Sequence, residues 1–370
     1  MRALLLCGLL LLSPMEPGST ATPPPTEAGD VLDALDLSGW DDFFSDMEGS
    51  EGWQPPSALA RELVEGGMDI PHMVSWLKRI GVSGLSGASA LCLMALTTGI
   101  LGALLETIMD GATLPARRVL SVGLAALLLV RLLPLIRRGL RCMHGIRTLA
   151  DMTVPLMTGT LLLLGSTRGA AAMGTAGELL THTVLGWIEG KLVPLALSAG
   201  VLRTADVMGE SVLSAVSRLL FALVRWGARA ICLGYSVVAA LLGVGAAGMD
   251  SLLLRTGKAA AGSLPLVGPL LSDSLGATVA CLGVVKGALG RTGILLVAIQ
   301  VAGPATELLI HGFGLRAASA LLLPLGQREM GSMLTALGEM LTALGALILA
   351  AGAMLCVIVG GASGCLGGAQ

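Results

Sequence analysis

Residues 255–290 read RTGKAAAGSLPLVGPLLSDSLGATVACLGVVKGALG. The stretch is small and apolar, yet it carries Arg255, Lys258, Asp273 and Lys286 together with Pro265 and Pro269, inside a long hydrophobic region. Charge and proline at membrane depth are expensive, so they face protein or water and tend to be functional. Whether this segment belongs to a membrane follows from composition. The chain of 370 residues is 54% hydrophobic and 13% charged, whereas a soluble domain has about 25% charged residues. Its mean hydropathy is +0.84. Aromatics are 3%, so the apolar mass is Leu, Ala, Val, Met and Gly. The 52 glycines suit close helix packing, because lipid gives no hydrophobic drive between helices and small residues let backbones approach. These features imply an all-α fold, a polytopic helical membrane protein set in the lipid bilayer.

The net charge of −2 hides an asymmetry. Nine of the 25 acids lie between Glu27 and Glu51, where there is no base; elsewhere 23 bases outnumber 16 acids (25 − 9). The basic excess is spread among apolar segments, which points to membrane topology and away from nucleic acid. The seven cysteines form no framework. Cys92, Cys232, Cys281 and Cys356 sit in apolar runs, where Cys behaves as a small hydrophobe. Cys142 and His144 lack further nearby ligands, so no metal site is expected.

From the N-terminus, Met1–Ala21 reads as a signal peptide: Arg2 is basic, Ala3–Leu12 is too short to span, and Ser19-Thr20-Ala21 offers cleavage. An uncleaved anchor is the alternative. Residues 22–84 form an acidic extracytoplasmic region. Its first part, with Trp40, Phe43 and Phe44, reads as a solvated linker, with a docking helix as the rival. Ala58–Ile80, with Pro71, Trp76, Lys78 and Arg79, reads as an interfacial helix. Residues 85–150 hold the first membrane helices and an Arg-rich loop, with apolar spans near Leu85–Leu105 and Val119–Ile136. Arg117 and Arg118 precede the second span, and Arg137, Arg138, Arg141 and Arg147 follow it. The positive-inside rule places both flanks in the cytoplasm, which one crossing does not allow. Either the segment is re-entrant or some arginines pair inside the bundle. Arg131, within the apolar run, favours burial.

The remainder reads as a repeat: residues 151–250, then 251–360, with 361–370 as a tail. Val154-Pro155-Leu156 matches Leu264-Pro265-Leu266 at an offset of 265 − 155 = 110, shared by Pro194 and Pro304, Gly177 and Gly287, and Arg218 and Arg328. Repeats with Pro-broken or re-entrant helices at matching positions are the pattern of secondary transporters, whose broken ends line a central site. Prolines that only kink packed helices are the other reading. In the last helix, Leu334–Met340 and Leu341–Leu347 are near copies that put Gly338 and Gly345 on one face, so a helix contact is expected there. Glu339 then needs a partner or a helix end, and Gln300 and Glu307 raise the same question.

No Walker motif, nucleophile elbow, metalloprotease motif or histidine pair is present, so no catalytic residue, metal or cofactor is assigned. Gly243–Gly248 matches G-x-G-x-x-G but ends an apolar helix, where packing is the better account. Glu189 and Lys191, two apart, point to different faces. Asp273 and Lys286 flank an apolar run of 12 residues. If that run turns back as a hairpin the two approach, either along a polar path through the bundle or as a structural ion pair.

Asp250, Arg255-Thr256-Gly257-Lys258, Pro265-Leu266-Val267-Gly268, Leu271-Ser272-Asp273 and Val285-Lys286-Gly287-Ala288-Leu289-Gly290 together resemble the stage III sporulation protein AE family of endospore-forming bacteria. Gly287 stands where the family pattern has Asn. Pro304 and Pro324-Leu325-Gly326 extend the likeness, which covers about Leu149–Ser363. It implies a multi-pass subunit of the channel complex joining mother cell and forespore during engulfment. That subunit sits in the mother-cell-derived membrane, with other membrane proteins of the complex as partners. The alternative is a self-contained secondary transporter. The residues singled out are Asp250, Arg255, Lys258, Pro265, Gly268, Asp273, Lys286, Pro304 and Glu307.

Overall fold

A computed structural model describes residues 35–47, 54–64, 89–97, 99–101, 114–163, 167–206, 215–235, 268–324 and 328–363, with isolated positions at 32, 87, 104 and 237. Every regular element among them is helical, as composition implies. In chain order these are α1 (Ser38–Ser45), α2 (Pro56–Val64), α3 (89–97), α4 (Leu114–Leu163), α5 (167–206), α6 (215–235), α7 (Gly268–Leu322) and α8 (Arg328–Ser363). Three stretches are long and apolar enough to cross a membrane: Gly169–Ala205 in α5, Val284–Leu322 in α7 and Met330–Gly361 in α8.

The core is an antiparallel hairpin of α7 and α8 whose backbones meet through glycine. A Cβ on Gly338 would lie 2.7 Å from the Gly312 carbonyl oxygen, and one on Gly345 would lie 3.3 Å from that of Ala305. Gly352 packs on Val301 further along. The face shared by Gly338 and Gly345 is therefore the helix contact that the heptad copy foretells. Hydroxyls reinforce it where the axes are close: Ser319 donates to the Gly331 carbonyl at 2.6 Å, and Arg316 Nη2 donates to Thr342 Oγ1 at 2.9 Å.

α4 lies against this hairpin, antiparallel to α7: Gly139 faces Leu308, Gly145 faces Gln300 and Thr153 reaches Gly293. α5 folds back along α4, with Gly177 on Val154, and touches α8 where Gly200 meets Met340. Both α5 and α7 thus run against α4, and so in the same direction as each other.

The prolines do not break these helices. Pro134 and Pro155 lie inside α4 and Pro304 inside α7; Pro265 lies outside the described residues. A proline leaves the carbonyl four residues earlier without its N–H, and packing partners make good the loss. Pro304 frees the Gln300 carbonyl, which accepts instead from Cys142 Sγ at 3.2 Å. The Gln300 side-chain amide returns a bond to the Cys142 carbonyl at 3.4 Å. Pro194 follows two π-helical turns, Leu179–Leu185 and Ile188–Leu192, whose wider winding accommodates the ring without ending α5.

Within the acidic N-terminal segment, residues 35–47 are not a solvated linker but a docked helix. Leu37, Trp40 and Phe44 are spaced to one face of α1 and are buried, Trp40 to 2% exposure, in the same core as the long helices. Trp40 rests near Gly293. Two of the acids accept from backbone N–H groups in the first turns of helices. Ser38 donates its N–H and hydroxyl to Asp36, which holds that carboxyl below the usual range. Ser57, in the first turn of α2, donates its N–H to Asp41 Oδ1 at 3.0 Å, where a negative charge meets the helix's free N–H groups. α2 packs on α7 with Leu59 and Ala60 buried. Residues 65–86, with Pro71 and Trp76, lie outside the described residues, as do the signal peptide and Gly243–Gly248.

The hairpin predicts its own weak point. Gly338→Leu drives a side chain into the Gly312 carbonyl and is expected to destabilise the protein by about 1–3 kcal/mol. Gly303→Leu, with open space at its Cβ, should leave the thermal midpoint in detergent near that of the parent. Equal midpoints for the two variants would show that glycine does not set the α7–α8 approach.

Candidate functional site

An acid on an apolar helix must be met by a cation or neutralised. Among the described residues three Arg–Glu pairs do this, each between different helices. Arg138 Nη1 on α4 reaches both carboxylate oxygens of Glu307 on α7, at 2.7 and 2.8 Å. Arg147, also on α4, lies 3.7 Å from Glu189 on α5, with His144 at 3.9 Å from the same carboxylate. Arg203 near the end of α5 lies 3.1 Å from Glu339 on α8. All six residues are half-buried. Arg138 and Arg147 are nine residues apart, about half a turn out of phase at 3.6 residues per turn. They therefore leave α4 on opposite sides, one toward α7 and one toward α5.

The pairs form a circuit: α7 to α4, α4 to α5, α5 to α8, closed by the glycine contact of α8 on α7. Between α4, α5 and α8 the interior is a small apolar cavity lined by Ile136, Gly139, Met143, Val193 and Ile348. The arrangement is built to hold helices in register. Among the described residues no three His, Cys, Asp or Glu side chains gather to hold a metal.

The arginine conflict resolves in favour of pairing. α4 is one continuous helix of 50 residues from Leu114 to Leu163, so the apolar run runs on into the Arg-rich segment, and Arg138 and Arg147 turn inward. Arg131 is exposed, contrary to the burial expected of it, although at seven residues from Arg138 it leaves α4 on nearly the same side. Lys191 is exposed while Glu189 is paired, as their spacing implies.

Of the nine residues singled out by sequence, Asp250, Arg255, Lys258 and Pro265 lie outside the described residues. Gly268 begins α7. Asp273 lies on its backbone, and Lys286 is half-buried and engaged in a polar contact. The two do not meet across a hairpin. α7 is helical throughout, so 13 residues (286 − 273) put them about 20 Å apart along one axis. Pro304 and Glu307 are brought into the site, one turn apart. Sequence missed the partners Arg138, Arg147 and Arg203 because pairing depends on helix register; the signal was the surplus of arginines beside apolar runs.

The family model for Stage III sporulation protein AE matches residues 82–362. The chain belongs to the stage III sporulation protein AE family. The match takes in α3 to α8 and begins well before Leu149, where the motif resemblance starts; the acidic segment lies outside it. A curated member of the stage III sporulation protein AE family, from Bacillus subtilis (strain 168), is 26% identical over 196 residues, 50% of this chain and 47% of that protein. The alignment thus spans about half the length of the relative. No solved structure matches.

The bidentate pair is open to a double-mutant cycle. Glu307→Gln or Arg138→Gln alone strands a half-buried charge and is expected to lower stability by about 1.5–3 kcal/mol. Arg138→Met with Glu307→Leu should recover most of that loss, because replacing both partners by apolar groups is often near neutral. Additive losses in the double variant would show that the two side chains act independently.

Proposed function

We propose that this chain is a non-enzymatic integral membrane subunit of the complex that links mother cell and forespore, acting after engulfment. Its other partners are membrane proteins of the same assembly. It sits in the mother-cell-derived membrane, with acidic residues 27–51 toward the space between the membranes. The observation that carries this reading is the family match over residues 82–362. The geometry supports a wall or platform. The described helices are continuous through Pro155, Pro194 and Pro304, and Glu189, Glu307 and Glu339 are each held by an arginine.

The runner-up, a self-contained secondary transporter, draws on the repeat. At the offset of 110, α5 with α6 would be one unit and α7 with α8 the other, and Pro194 and Pro304 fall in the first helix of each. Because α5 and α7 run the same way, such a repeat is parallel, unlike the inverted repeats whose broken helices line a midplane site.

Deleting the gene from its sporulating host is expected to stop development after engulfment, and the tagged protein should co-purify with other sporulation membrane proteins. Purified protein that alone drives uptake of a defined solute into vesicles would favour the transporter instead. Within the segment of strongest resemblance, Asp273→Leu or Lys286→Leu should lower spore yield more than Ser272→Ala at equal protein level. Comparable yields in all three would remove the reason for singling out those charges.

A further inference from the structure

The third ion pair differs from the other two in what stands beside it. Arg138 grips both oxygens of Glu307, and Glu189 is met by Arg147 and His144. Arg203 of α5 reaches one oxygen of Glu339, at 3.1 Å. A second arginine, Arg316 of α7, lays its stem over Gly338, with Cγ 2.9 Å from where a Cβ on that glycine would lie. Its Nη2 donates to Thr342 Oγ1 at 2.9 Å, and Thr342 bonds back to the carbonyls of Gly338 and Glu339. Glu339 and Thr342 are three residues apart, neighbours on one face of α8. These contacts bring an arginine from α5 and an arginine from α7 to that one face.

Two guanidiniums thus stand with one carboxylate, a net charge of +1 (2 − 1) on half-buried side chains. Arginine does not lose its proton in proteins, so the excess is permanent. Among the described residues no carboxylate answers Arg316. Its bond to a neutral hydroxyl leaves the charge uncompensated, and its Nε is buried without a partner. Charge in apolar surroundings calls for a counter-charge. The face is open to a ligand, since the side chains of Arg203 and Glu339 are 26% and 27% exposed. Thr335 and exposed Ser332 continue it along α8 toward the α7–α8 turn. Arg316 lies six residues before the end of α7 at Leu322, and Arg203 three before the end of α5 at residue 206. At 1.5 Å per residue both are within about 9 Å of a helix end.

We infer that Arg203 and Arg316 together hold a phosphate group, with the Thr342 hydroxyl between them. The planar fork of a guanidinium matches the oxygens of phosphate as it does those of carboxylate. The phosphate supplies the negative charge that Arg316 lacks, while Glu339 keeps Arg203 in position. A phosphodiester carries one negative charge and so balances the single excess. Phospholipid headgroups and soluble phosphate compounds share this chemistry. The site is a property of the bundle and does not depend on the proposed place in a channel complex.

The test is binding to the purified full chain in an uncharged, phosphate-free detergent, followed by the thermal midpoint and by native mass spectrometry. Phosphatidylglycerol should raise the midpoint and saturate at one molecule per chain, whereas diacylglycerol with the same acyl chains should not. Arg316→Gln should weaken binding about tenfold, the value of one hydrogen bond to a charged group. Arg137→Gln, an exposed arginine elsewhere on α4, should bind as the parent does. Should Arg316→Gln fail to fold, Arg316→Met keeps the stem over Gly338 without the charge and reads the same loss. Inorganic phosphate separates the sources: a rise with phosphate alone points to a soluble ligand, and a rise with the lipid alone to a headgroup. No rise with either overturns the inference, as does an equal response to diacylglycerol. Parent-like binding by the Arg316 variant, or an equal loss in Arg137→Gln, overturns it as well, because general attraction to a basic protein then accounts for the binding.

Discussion

The bundle depends on arginine meeting glutamate across helices. In apolar surroundings a carboxylate without a partner is so unfavourable that it dictates which neighbour its helix must have and at what height. Glu307 fixes α7 to α4, Glu189 fixes α5 to α4 and Glu339 fixes α8 to α5. Arg138 and Arg147 leave α4 on opposite sides, so together they set its rotation as well as its height. Pairs of this kind contribute little net stability compared with apolar packing, but a slipped register would strand several charges at once. Their consequence is therefore specificity: helices made of Leu, Ala, Val and Gly have many near-equivalent ways to pack, and three pairs leave few of them.

The fourth side of the circuit carries no charge and works by approach. Gly312 and Gly338 let α7 and α8 come close enough for Ser319, Thr335 and Thr342 to bond across or along the hairpin. At Gln300 the two devices combine. Pro304 leaves a carbonyl unmet, Cys142 supplies the donor, and Gly145 makes room for the amide that answers it. A proline that would weaken an isolated helix thus becomes a docking point for α4, which explains why α7 stays continuous.

Sequence revealed those features that depend on composition or on one helix alone. Membrane character followed from the lack of charge, the Gly338 and Gly345 face from a heptad copy, and the need of Glu307 and Glu339 for partners from their apolar setting. Features that depend on register between helices were not legible: no spacing within α4 says that Arg138 faces Glu307 rather than solvent, and Arg131, seven residues earlier, turned out exposed. The run between Asp273 and Lys286 does not turn back as a hairpin, because it is part of one continuous helix, in which small residues serve close packing. The docking of α1 was hidden by averaging. Nine acids in the segment suggest solvation, and Asp36, Asp42 and Asp46 are indeed exposed, yet Leu37, Trp40 and Phe44 form a short apolar stripe on the other side, and Asp41 holds the Ser57 N–H of α2.

The direction of the helices constrains what a repeat in this chain is able to do. Inverted repeats give a transporter two half-sites that exchange access by rocking; α5 and α7, both antiparallel to α4, give a parallel repeat instead, an arrangement that other transporters use. With Glu189, Glu307 and Glu339 paired and the interior cavity small and apolar, exposed bases remain on the outside, at Arg131, Arg137, Lys191, Arg225 and Arg229. Bases on the outside of an apolar bundle are met by water, by headgroups or by other chains, because acyl lipid is a poor neighbour for those side chains.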